Sequence, residues 1–346
     1  MNQPKNILIV RTDRIGDVVL SLPMAAVIKK HFPECRVTVL LRNYTRSLAL
    51  NNPFIDEIET LIEEKGKPSV GKNVALLKNR FDTCIVAYPS YALALILFLS
   101  NIRRRIGTGY RWYSFFFNGK VYDHRKYGER HELEYNIRLL KQLGIDEEVT
   151  EENVTFGISA SKENRDRIKT KLTSAGINFT KPIVIVHPGS GGSAVDMPRV
   201  KMKSVIDSLS REPVEILITG SSAEKELCQL LVVNNSARNF AGEFNLAELT
   251  ALIDQCDLMI ANSTGPIHIA AALGKYVIGF YPKFPAASAK RWGPFTSKRT
   301  IFTPSLDCKD CTRKKCEKLN CMNSISTDEV IIEAKNILTR VSLENR

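Results

Sequence analysis

A buried strand, a polar loop and a helix follow one another at the start of the chain, and this succession constrains the fold more than any other feature. Residues 7–10 form a short apolar run typical of a fully buried strand, and residues 11–15 are mostly polar. From Gly16 onward, apolar side chains return at helical spacing. Together these segments predict the first βα turn of a parallel sheet, where ligands gather beyond the carboxyl ends of the strands.

Asp17 falls in the first turn of the predicted helix, where the helix dipole favours an ionised carboxylate. For an isolated aspartate at a helix end, a purely structural role is the simpler explanation. The polar neighbours of Asp17 favour a functional role instead. Gly16 is the only glycine of the loop, so the three-glycine fingerprint is absent and an NAD or FAD site is disfavoured. The loop instead suits a polar substrate such as a sugar, through Arg11, Thr12, Asp13, Arg14, Gly16 and Asp17.

The chain of 346 residues is long enough for two domains, because single cores stop growing well below that size. Its net charge of +12 predicts an acidic partner, which could be a nucleic acid, an anionic membrane surface or a phosphorylated substrate. The short N-terminal apolar run is flanked by Lys5 on one side and by Arg11 and Arg14 on the other. No signal peptide is therefore predicted, and we expect a soluble protein in the cytoplasm.

Residues 83–102 carry no charge and are long enough to be weighed as a transmembrane helix. Tyr88, Pro89 and Ser90 divide the segment, which favours a strand followed by a helix. Other apolar patterns predict strands at residues 36–41, 54–61, 81–87 and 154–158, and helices at residues 70–80 and 132–143. Strands that alternate with helices in this way predict βαβ units and a parallel sheet.

Residues 101–130 interrupt this rhythm with an unusual mixture of cations and aromatic rings. The segment holds eight lysines and arginines against two acidic residues, a balance of 8 − 2 = +6. Aromatic and cationic side chains mixed in this way suit a lipid–water interface or a nucleic acid. An edge strand with solvated arginines is an equally good interpretation.

A second series of alternating strands and helices begins at residue 183. Three of its predicted strands end in loops of small or polar residues, at 187–192, 219–222 and 262–266. Parallel strands bring such loops to one edge of a sheet, where backbone N–H groups and helix N-termini hold phosphate. Each loop alone is a weak signal, but together they favour a nucleotide or nucleotide-sugar site.

Four cysteines near the C-terminus form one compact cluster, namely Cys308, Cys311, Cys316 and Cys321. Four thiols that begin with a CxxC pair can bind Zn²⁺ tetrahedrally, and the spacing resembles a zinc knuckle of a nucleic-acid binder. Reduced thiols or local disulfides are the alternatives, and they are favoured over a structural zinc. The remaining cysteines lie in apolar segments and are predicted to be inert core residues: Cys35, Cys84, Cys228 and Cys256.

Two segments resemble the signatures of glycosyltransferase family 9, the heptosyltransferases of lipopolysaccharide core assembly. Residues 14–23 read RIGDVVLSLP and resemble the opening signature of that family. Residues 262–274 read NSTGPIHIAAALG and resemble its donor-site signature. Three shorter features fall in the expected order between them: His187-Pro-Gly-Ser190, Gly220 with Glu224, and Ala241-Gly242.

The resemblance implies an α/β GT-B fold, with two Rossmann-like parallel-sheet domains facing across a cleft. Residues 1–160 would bind the acceptor, and residues 161–325 would bind the nucleotide sugar. Residues 326–346 would form a helix that packs back toward the N-terminal domain. The implied reaction is an inverting sugar transfer that needs no metal and no cofactor.

The resemblance also assigns roles to single residues. Asp17 corresponds to the catalytic base that takes the proton of the acceptor hydroxyl. The implied donor-binding residues are Ser190, Gly191, Gly220, Glu224, Phe244, Ser263, Thr264, Gly265, Pro266 and His268. The expected acceptor-side residues are Arg11, Thr12, Arg14, Gly16, Arg103 and Arg105. Outside this motif, His268 would be interpreted as a core histidine.

Two departures from the family pattern leave the donor open. Residues 195–198 read VDMP where many members have Lys-x-Trp-Pro, whose lysine contacts the donor phosphates, and Ser263 stands where many have aspartate. We expect transfer of a sugar, with heptose from ADP-heptose as the first choice, onto a lipopolysaccharide core or related lipid-linked anionic acceptor. The enzyme would be peripheral at the cytoplasmic face of the inner membrane, with no nucleic-acid partner. The alternatives are a non-catalytic sugar-nucleotide-binding protein and, less favoured, a nucleic-acid binder that uses the cysteine cluster.

Overall fold

The computed structural model describes residues 3–233, 236–306 and 311–344. Backbone contacts divide the chain into two compact units. The first comprises Met1–Arg125 with Glu132–Ile158, and the second comprises Lys126–His131 with Ser159–Arg346. The division at Ile158 lies beside the boundary expected at residue 160, whereas the grouping of Lys126–His131 with the second unit is not foreseeable from the sequence.

The first unit alternates short strands with helices. Its strands are β1 (Asn6–Val10), β2 (Arg36–Leu41), β3 (Glu57–Thr60), β4 (Glu63–Glu64), β5 (Lys67–Pro68), β6 (Thr83–Val86), β7 (Arg104–Thr108) and β8 (Gly119–Val121). Its helices are α1 (Ile15–Val19), α2 (Pro23–His31), α3 (Val70–Leu77), α4 (Tyr91–Leu99) and α5 (Glu132–Arg138). Strands β4 and β5 form a separate antiparallel pair.

The main sheet of the first unit is wholly parallel, in the order β3-β2-β1-β6-β7-β8. The chain runs from the middle of the sheet to one edge and then returns to fill the other half. The switch point therefore lies between β1 and β6, where doubly wound sheets bind ligands. Residues 7–10 of β1 are buried, as expected for a parallel sheet covered on both faces.

The second unit repeats this plan. Its strands are β9 (Ile183–His187), β10 (Glu215–Ile218), β11 (Ala237–Asn239), β12 (Leu258–Asn262), β13 (Tyr276–Phe280) and β14 (Arg299–Phe302). Its helices are α6 (Lys162–Ser174), α7 (Arg199–Leu209), α8 (Lys225–Gln229), α9 (Leu246–Asp254), α10 (Gly265–Ala272), α11 (Ala289–Trp292), α12 (Arg313–Lys318) and α13 (Thr327–Glu344).

The second sheet is also parallel, in the order β11-β10-β9-β12-β13-β14. Its switch point lies between β9 and β12, so the loops that follow these two strands are neighbours. The predicted α/β class with two parallel-sheet domains is thus confirmed.

Two of the helices predicted in the first unit differ from the expectation. The helix predicted from Gly16 onward is two helices, because α1 ends at Val19 and α2 begins at Pro23, which has no amide hydrogen to continue a helix. The helix predicted at residues 132–143 begins as α5 and ends as the 3₁₀ turn Leu139–Leu143. It stops at Gly144, whose φ of 83° is the left-handed conformation that glycine tolerates best.

The strand predicted at residues 154–158 is wrong. Phe156 and Ile158 are buried, but this segment pairs with neither sheet in the described part of the chain. The side chain of Asn52 instead donates a hydrogen bond to the Phe156 carbonyl at 2.9 Å. The apolar pattern here reflects side-chain burial without strand pairing.

The uncharged segment 83–102 folds as β6 and α4, as the break at Tyr88-Pro89-Ser90 predicts. Ser90 begins α4 as its N-cap, and its hydroxyl accepts a hydrogen bond from the Leu93 amide at 3.3 Å. None of the helices that the structure describes has the length and the hydropathy needed to cross a membrane.

Helix α13 buries one face in the core of the second unit, through Val330, Ala334, Ile337, Leu338 and Val341. Its expected return toward the N-terminal domain stays a prediction. Cys316 and Cys321 join the same core, and Cys308 lies outside the described residues, so the predicted cysteine cluster can be followed only in part. The four other cysteines are buried as predicted, and burial raises the pKa of Cys84 and of Cys256 to about 12.

Candidate active site

Arg11 is the centre of the polar site in the first unit. It directly follows β1, and its backbone amide still pairs with the Leu40 carbonyl at 3.1 Å, so the sheet fixes its position. Its guanidinium is buried, with 3 % of the side chain exposed. Its Nη1 donates hydrogen bonds to the Ala87 carbonyl at 3.3 Å and to Asn136 Oδ1 at 3.2 Å.

Three carboxylates surround this guanidinium. Arg11 Nε lies 2.8 Å from Asp13 Oδ1, Nη2 contacts Asp17 Oδ1, and Nη1 lies 3.5 Å from Glu132 Oε1. Glu132 has a second partner in Arg125, whose Nη1 lies 2.5 Å away. Burial opposes the charge of Arg11, but the three carboxylates outweigh it and raise the pKa of Arg11 above its ordinary value.

Asp13 is the member of this cluster whose protonation changes near neutral pH. Burial disfavours its charged form most strongly, Arg11 opposes that effect, and the nearby Asp17 carboxylate adds to it. The result raises the pKa of Asp13 from 3.8 to about 7. Protonated Asp13 removes one negative charge from the group around Arg11 and can donate a hydrogen bond to Asp17, with which it is in contact.

Asp17 is the most accessible carboxylate of the three. It lies in the first turn of α1, and 16 % of its side chain is exposed, against 13 % for Asp13 and 3 % for Glu132. The ion pair with Arg11 therefore orients Asp17 without sealing it from solvent. A hydroxyl group that approaches the carboxyl edge of the first sheet can reach this carboxylate.

The other expected acceptor-side residues separate into two groups. Thr12 and Gly16 are buried beside the Arg11 cluster, and the exposed Arg14 is the N-cap residue of α1. Arg103 and Arg105 lie at the amino-terminal part of β7, because Arg104 pairs with Thr83 at the start of β6. The structure therefore does not bring Arg103 and Arg105 together with Asp17, which lies beyond the carboxyl end of β1.

The loops after β9 and β12 are tied together in the second unit. Asn262 Nδ2 donates to the Pro188 carbonyl at 2.5 Å, and Asn262 Oδ1 accepts from the Met197 amide at 2.9 Å. Ser193 Oγ donates to the carbonyls of Ser190 and Ser263, at 2.8 Å and 2.9 Å. The predicted donor residues Ser190, Gly191, Ser263, Thr264, Gly265 and Pro266 all lie on these two loops or on the first turn of α10.

Glu224 connects the loop after β10 to this pair. Its Oε2 accepts hydrogen bonds from the amide and the hydroxyl of Ser221, at 2.8 Å and 2.7 Å. A Cβ atom on Gly189 would lie 1.7 Å from Glu224 Oε1, so only glycine allows this approach. Glu224 and Gly220 thus lie beside the glycine-rich loop after β9, which places two further donor residues together with the first group.

The loop after β11 completes the same edge and carries Phe244. The amide of Gly242 donates to the Gly220 carbonyl at 2.8 Å, so the loops after β10 and β11 are in contact. Gly242 has φ of 77°, and a Cβ atom there would lie 2.8 Å from Ser222 Cα. The half-buried ring of Phe244 lies 4.5 Å below the ammonium group of Lys171, so this ring has a protein partner already.

Two buried histidines lie beneath these loops. His187 Nδ1 lies 3.0 Å from Thr219 Oγ1, and burial lowers the pKa of His187 to about 4 although Glu224 opposes the shift. His268 projects from the first turn of α10, and its Nδ1 has no hydrogen-bond partner among the described residues. Burial, with a smaller contribution from His131, lowers the pKa of His268 to about 3. Both imidazoles are therefore neutral at physiological pH.

Val195 occupies the position where a phosphate-contacting lysine was expected, and it packs against the core of the second unit. A different cation contacts this loop. Arg313, at the start of α12, donates from Nη1 to the Gly192 carbonyl at 2.9 Å, and Glu317 holds its Nε at 2.8 Å. No local sequence motif links Arg313 to this loop, because Arg313 lies more than a hundred residues farther along the chain than Gly192.

Comparison with known proteins assigns these features to a family. The family model described as Glycosyltransferase family 9 (heptosyltransferase) matches residues 72–322. A Haemophilus influenzae protein, provisionally named a glycosyltransferase, is 28% identical over 312 residues, which span 87% of this chain and 89% of that protein. Lipopolysaccharide heptosyltransferase 3 of Escherichia coli is 26% identical over 302 residues, with 83% and 85% coverage.

The fold also matches a solved structure. The solved structure of the Escherichia coli ADP-heptose LPS heptosyltransferase II superimposes with a TM-score of 0.78 at 18% identity, over 98% of this chain and 99% of that one. The architecture is therefore that of a GT-B glycosyltransferase. The chain belongs to glycosyltransferase family 9, the heptosyltransferase family, and the resemblance noted in its two signature segments is confirmed.

The neutral histidines predict an acid-sensitive second unit. His268 binds its proton near pH 6.5 when unfolded and only near pH 3 when folded, so the unfolded state holds more protons between these values. The free energy of unfolding should therefore fall as the pH is lowered from 6.5. In the His268→Asn variant, the free energy of unfolding should fall less steeply with decreasing pH, by up to about 1.4 kcal/mol per pH unit. Urea denaturation at several pH values measures this slope. The control Leu230→Ser changes an exposed, non-titratable side chain of the second unit and should leave the slope unchanged. Equal slopes in native protein and His268→Asn would contradict the prediction.

Proposed function

We propose that this glycosyltransferase moves a heptose from ADP-heptose onto a lipopolysaccharide core or a related lipid-linked anionic acceptor, with inversion at the anomeric carbon and without a metal. The observation that carries the proposal is the Arg11 cluster, which holds the partly exposed carboxylate of Asp17 at the switch point of the first sheet. The ADP-heptose and lipopolysaccharide assignments draw on the names of relatives.

Asp17 is the base in this proposal. Its carboxylate takes the proton of the acceptor hydroxyl while the hydroxyl oxygen bonds to the anomeric carbon of the donor. The bond between that carbon and the diphosphate oxygen breaks on the opposite face, and ADP departs with the electron pair. A single carboxylate is sufficient because the diphosphate is a good leaving group and needs no separate acid.

Arg11 and Asp13 adjust Asp17 for this task. The guanidinium fixes the direction of the Asp17 carboxylate, since the sheet and Asn136 fix the guanidinium itself. When Asp13 is ionised, its carboxylate lies next to Asp17 and offers a second place for the abstracted proton. Transfer should therefore be faster above the pKa of Asp13 than below it.

The loops of the second unit hold the donor in this proposal. Backbone N–H groups at the start of α10, together with the hydroxyls of Ser190 and Thr264, would stabilise the charge that grows on the departing diphosphate. Arg313 would supply the cation that Val195 does not. Glu224 and Phe244 lie at the same edge, where a carboxylate suits a ribose and a ring suits a nucleobase.

Replacing Asp17 tests the base directly. Asp17→Asn should reduce kcat at least a hundredfold, because general-base catalysis contributes about 10²–10⁴ in rate, while calorimetry should give an unchanged Kd for ADP. Asp207→Asn, an exposed carboxylate of the second unit, is the matched control and should keep native activity. Activity of Asp17→Asn within threefold of native, roughly 0.7 kcal/mol, would rule out this base. Native protein that binds ADP but transfers nothing would favour the non-catalytic alternative.

The pH profile tests the role of Asp13. Because the pKa of Asp13 is raised to about 7, kcat/KM of the native enzyme should rise with pH through that value as Asp13 loses its proton. Asp13→Asn cannot lose a proton there, so its profile should lack the inflection and stay at the lower level. Asp207→Asn should retain the native profile. An inflection near pH 7 that persists in Asp13→Asn would contradict this role.

Calorimetry with nucleotides tests the donor site. ADP should bind more tightly than UDP or GDP, and Arg313→Gln should weaken ADP binding about tenfold, as expected for the loss of one charge-assisted contact. Lys318→Gln removes a cation from the same helix and is the matched control. Equal effects of the two substitutions would indicate a general charge effect and would remove Arg313 from the site.

A further inference from the structure

Helix α4 is apolar on all sides, which is unusual for a helix at the surface of a parallel sheet. Its inner side chains Leu93, Ala94, Ile96 and Leu97 enter the core of the first unit. Its outer side is nevertheless exposed, by 45 % at Tyr91, 48 % at Phe98 and 45 % at Leu99. Exposed apolar side chains that cluster on a surface mark a site of interaction with a protein, a membrane or a ligand.

The 3₁₀ turn Trp112–Phe116 extends this surface. Trp112 is 73 % exposed and Phe115 is 64 % exposed. The Trp112 ring stacks on Tyr91 at 5.0 Å, and the buried ring of Phe116 contacts Phe115 at 4.3 Å and Phe98 at 5.2 Å. We call the exposed side chains of Tyr91, Phe98, Leu99, Trp112 and Phe115 the aromatic face.

The backbone beneath the aromatic face is firmly held. The Tyr113 hydroxyl donates to the Pro89 carbonyl at 2.9 Å, and the Ser114 hydroxyl donates to the Thr108 carbonyl at 2.6 Å. The Arg111 amide donates to the Ser114 hydroxyl at 3.0 Å. The turn therefore presents Trp112 and Phe115 outward in a fixed arrangement, although their exposure in water is unfavourable.

The surroundings of the aromatic face are purely cationic along the chain. Residues 83–122 contain no aspartate or glutamate and five arginines and lysines, which are Arg103, Arg104, Arg105, Arg111 and Lys120. Arg103, Arg111 and Lys120 are exposed, and the Arg105 guanidinium lies 5.3 Å above the Phe98 ring while it donates to the Phe116 carbonyl at 2.7 Å. Arg105 is thus committed to supporting this surface.

We propose that the aromatic face is a membrane-docking surface, which inserts shallowly into a bilayer that contains anionic lipid. Tryptophan and tyrosine rings favour the headgroup region, leucine and phenylalanine reach the acyl chains, and the arginines and lysine meet the lipid phosphates. Leu99 and the apolar helix beneath it favour lipid over nucleic acid, whose bases would stack on rings alone. The inference rests on the proposed transfer to a lipid-linked acceptor, and it assigns Arg103 to the membrane.

Trp112 makes a specific test possible, because the chain has two tryptophans and Trp292 is the other. In the Trp292→Phe variant, the emission of Trp112 should shift to the blue when vesicles of phosphatidylglycerol and phosphatidylethanolamine are added. Bromine-labelled lipid should quench this emission. Vesicles of phosphatidylcholine alone should give a weaker effect, because they lack the charge that attracts the cations.

Cosedimentation with the same vesicles measures the energetic contribution of the face. The double variant Leu99→Ser/Phe115→Ser should lower the vesicle partition coefficient at least about tenfold, since two buried apolar side chains are lost. Leu230→Ser, which changes a 61 % exposed leucine in the second unit, is the matched control and should bind like native protein. Circular dichroism should show the native fold in both variants, because the substituted side chains are exposed.

Transfer to a lipid-free, soluble acceptor separates this inference from the proposed function. The double variant should retain native activity on that acceptor, because the aromatic face is not part of the site at Asp17. An unshifted Trp112 emission, or equal vesicle binding of native protein and the double variant, would overturn the docking surface whatever the catalytic result. A Trp112 response to single-stranded RNA in place of vesicles would also overturn it, in favour of a nucleic-acid surface.

Discussion

The buried guanidinium of Arg11 is the interaction on which the first unit's chemistry depends. A buried cation is stable only when carboxylates and hydrogen-bond acceptors surround it, and Arg11 has Asp13, Asp17 and Glu132 together with Asn136. Burial, together with the nearby Asp17 carboxylate, raises the pKa of Asp13, although Arg11 opposes the shift. The fold thereby leaves one oriented and partly exposed carboxylate, that of Asp17, at the edge of the sheet.

The second unit meets a different requirement, which is to hold an anion with few charges of its own. Its four loops approach one another so closely that Gly189 and Gly242 leave no room for a side chain. Two neutral histidines lie beneath them, and Arg313 contacts the glycine-rich loop from outside the core. Backbone N–H groups and the Arg313 guanidinium at this edge are suited to holding a diphosphate.

Local patterns predicted most of the fold, because apolar runs, helix caps and Pro-Gly breaks act over a few residues. The bounds of β2 were predicted to the residue, β1 lies where the apolar run of residues 7–10 is, and β9 begins at residue 183, where the second series was expected to start. The strand predicted at residues 154–158 was wrong because burial alone produces the same apolar pattern as strand pairing. The site was only partly predictable: Asn136, Glu132 and Arg313 reach their partners across long stretches of chain, and no local motif records such contacts.

The central claim is that the pKa of Asp13 is raised because Asp13 is buried beside the Asp17 carboxylate around one guanidinium, and carbon-13 NMR of labelled aspartate carboxyl groups measures this directly. In the native protein the Asp13 carboxyl should titrate near pH 7, and in the Asp17→Asn variant its midpoint should move toward the ordinary value of 3.8. A native midpoint already at the ordinary value, unchanged by that substitution, would contradict the account of how this site prepares its base.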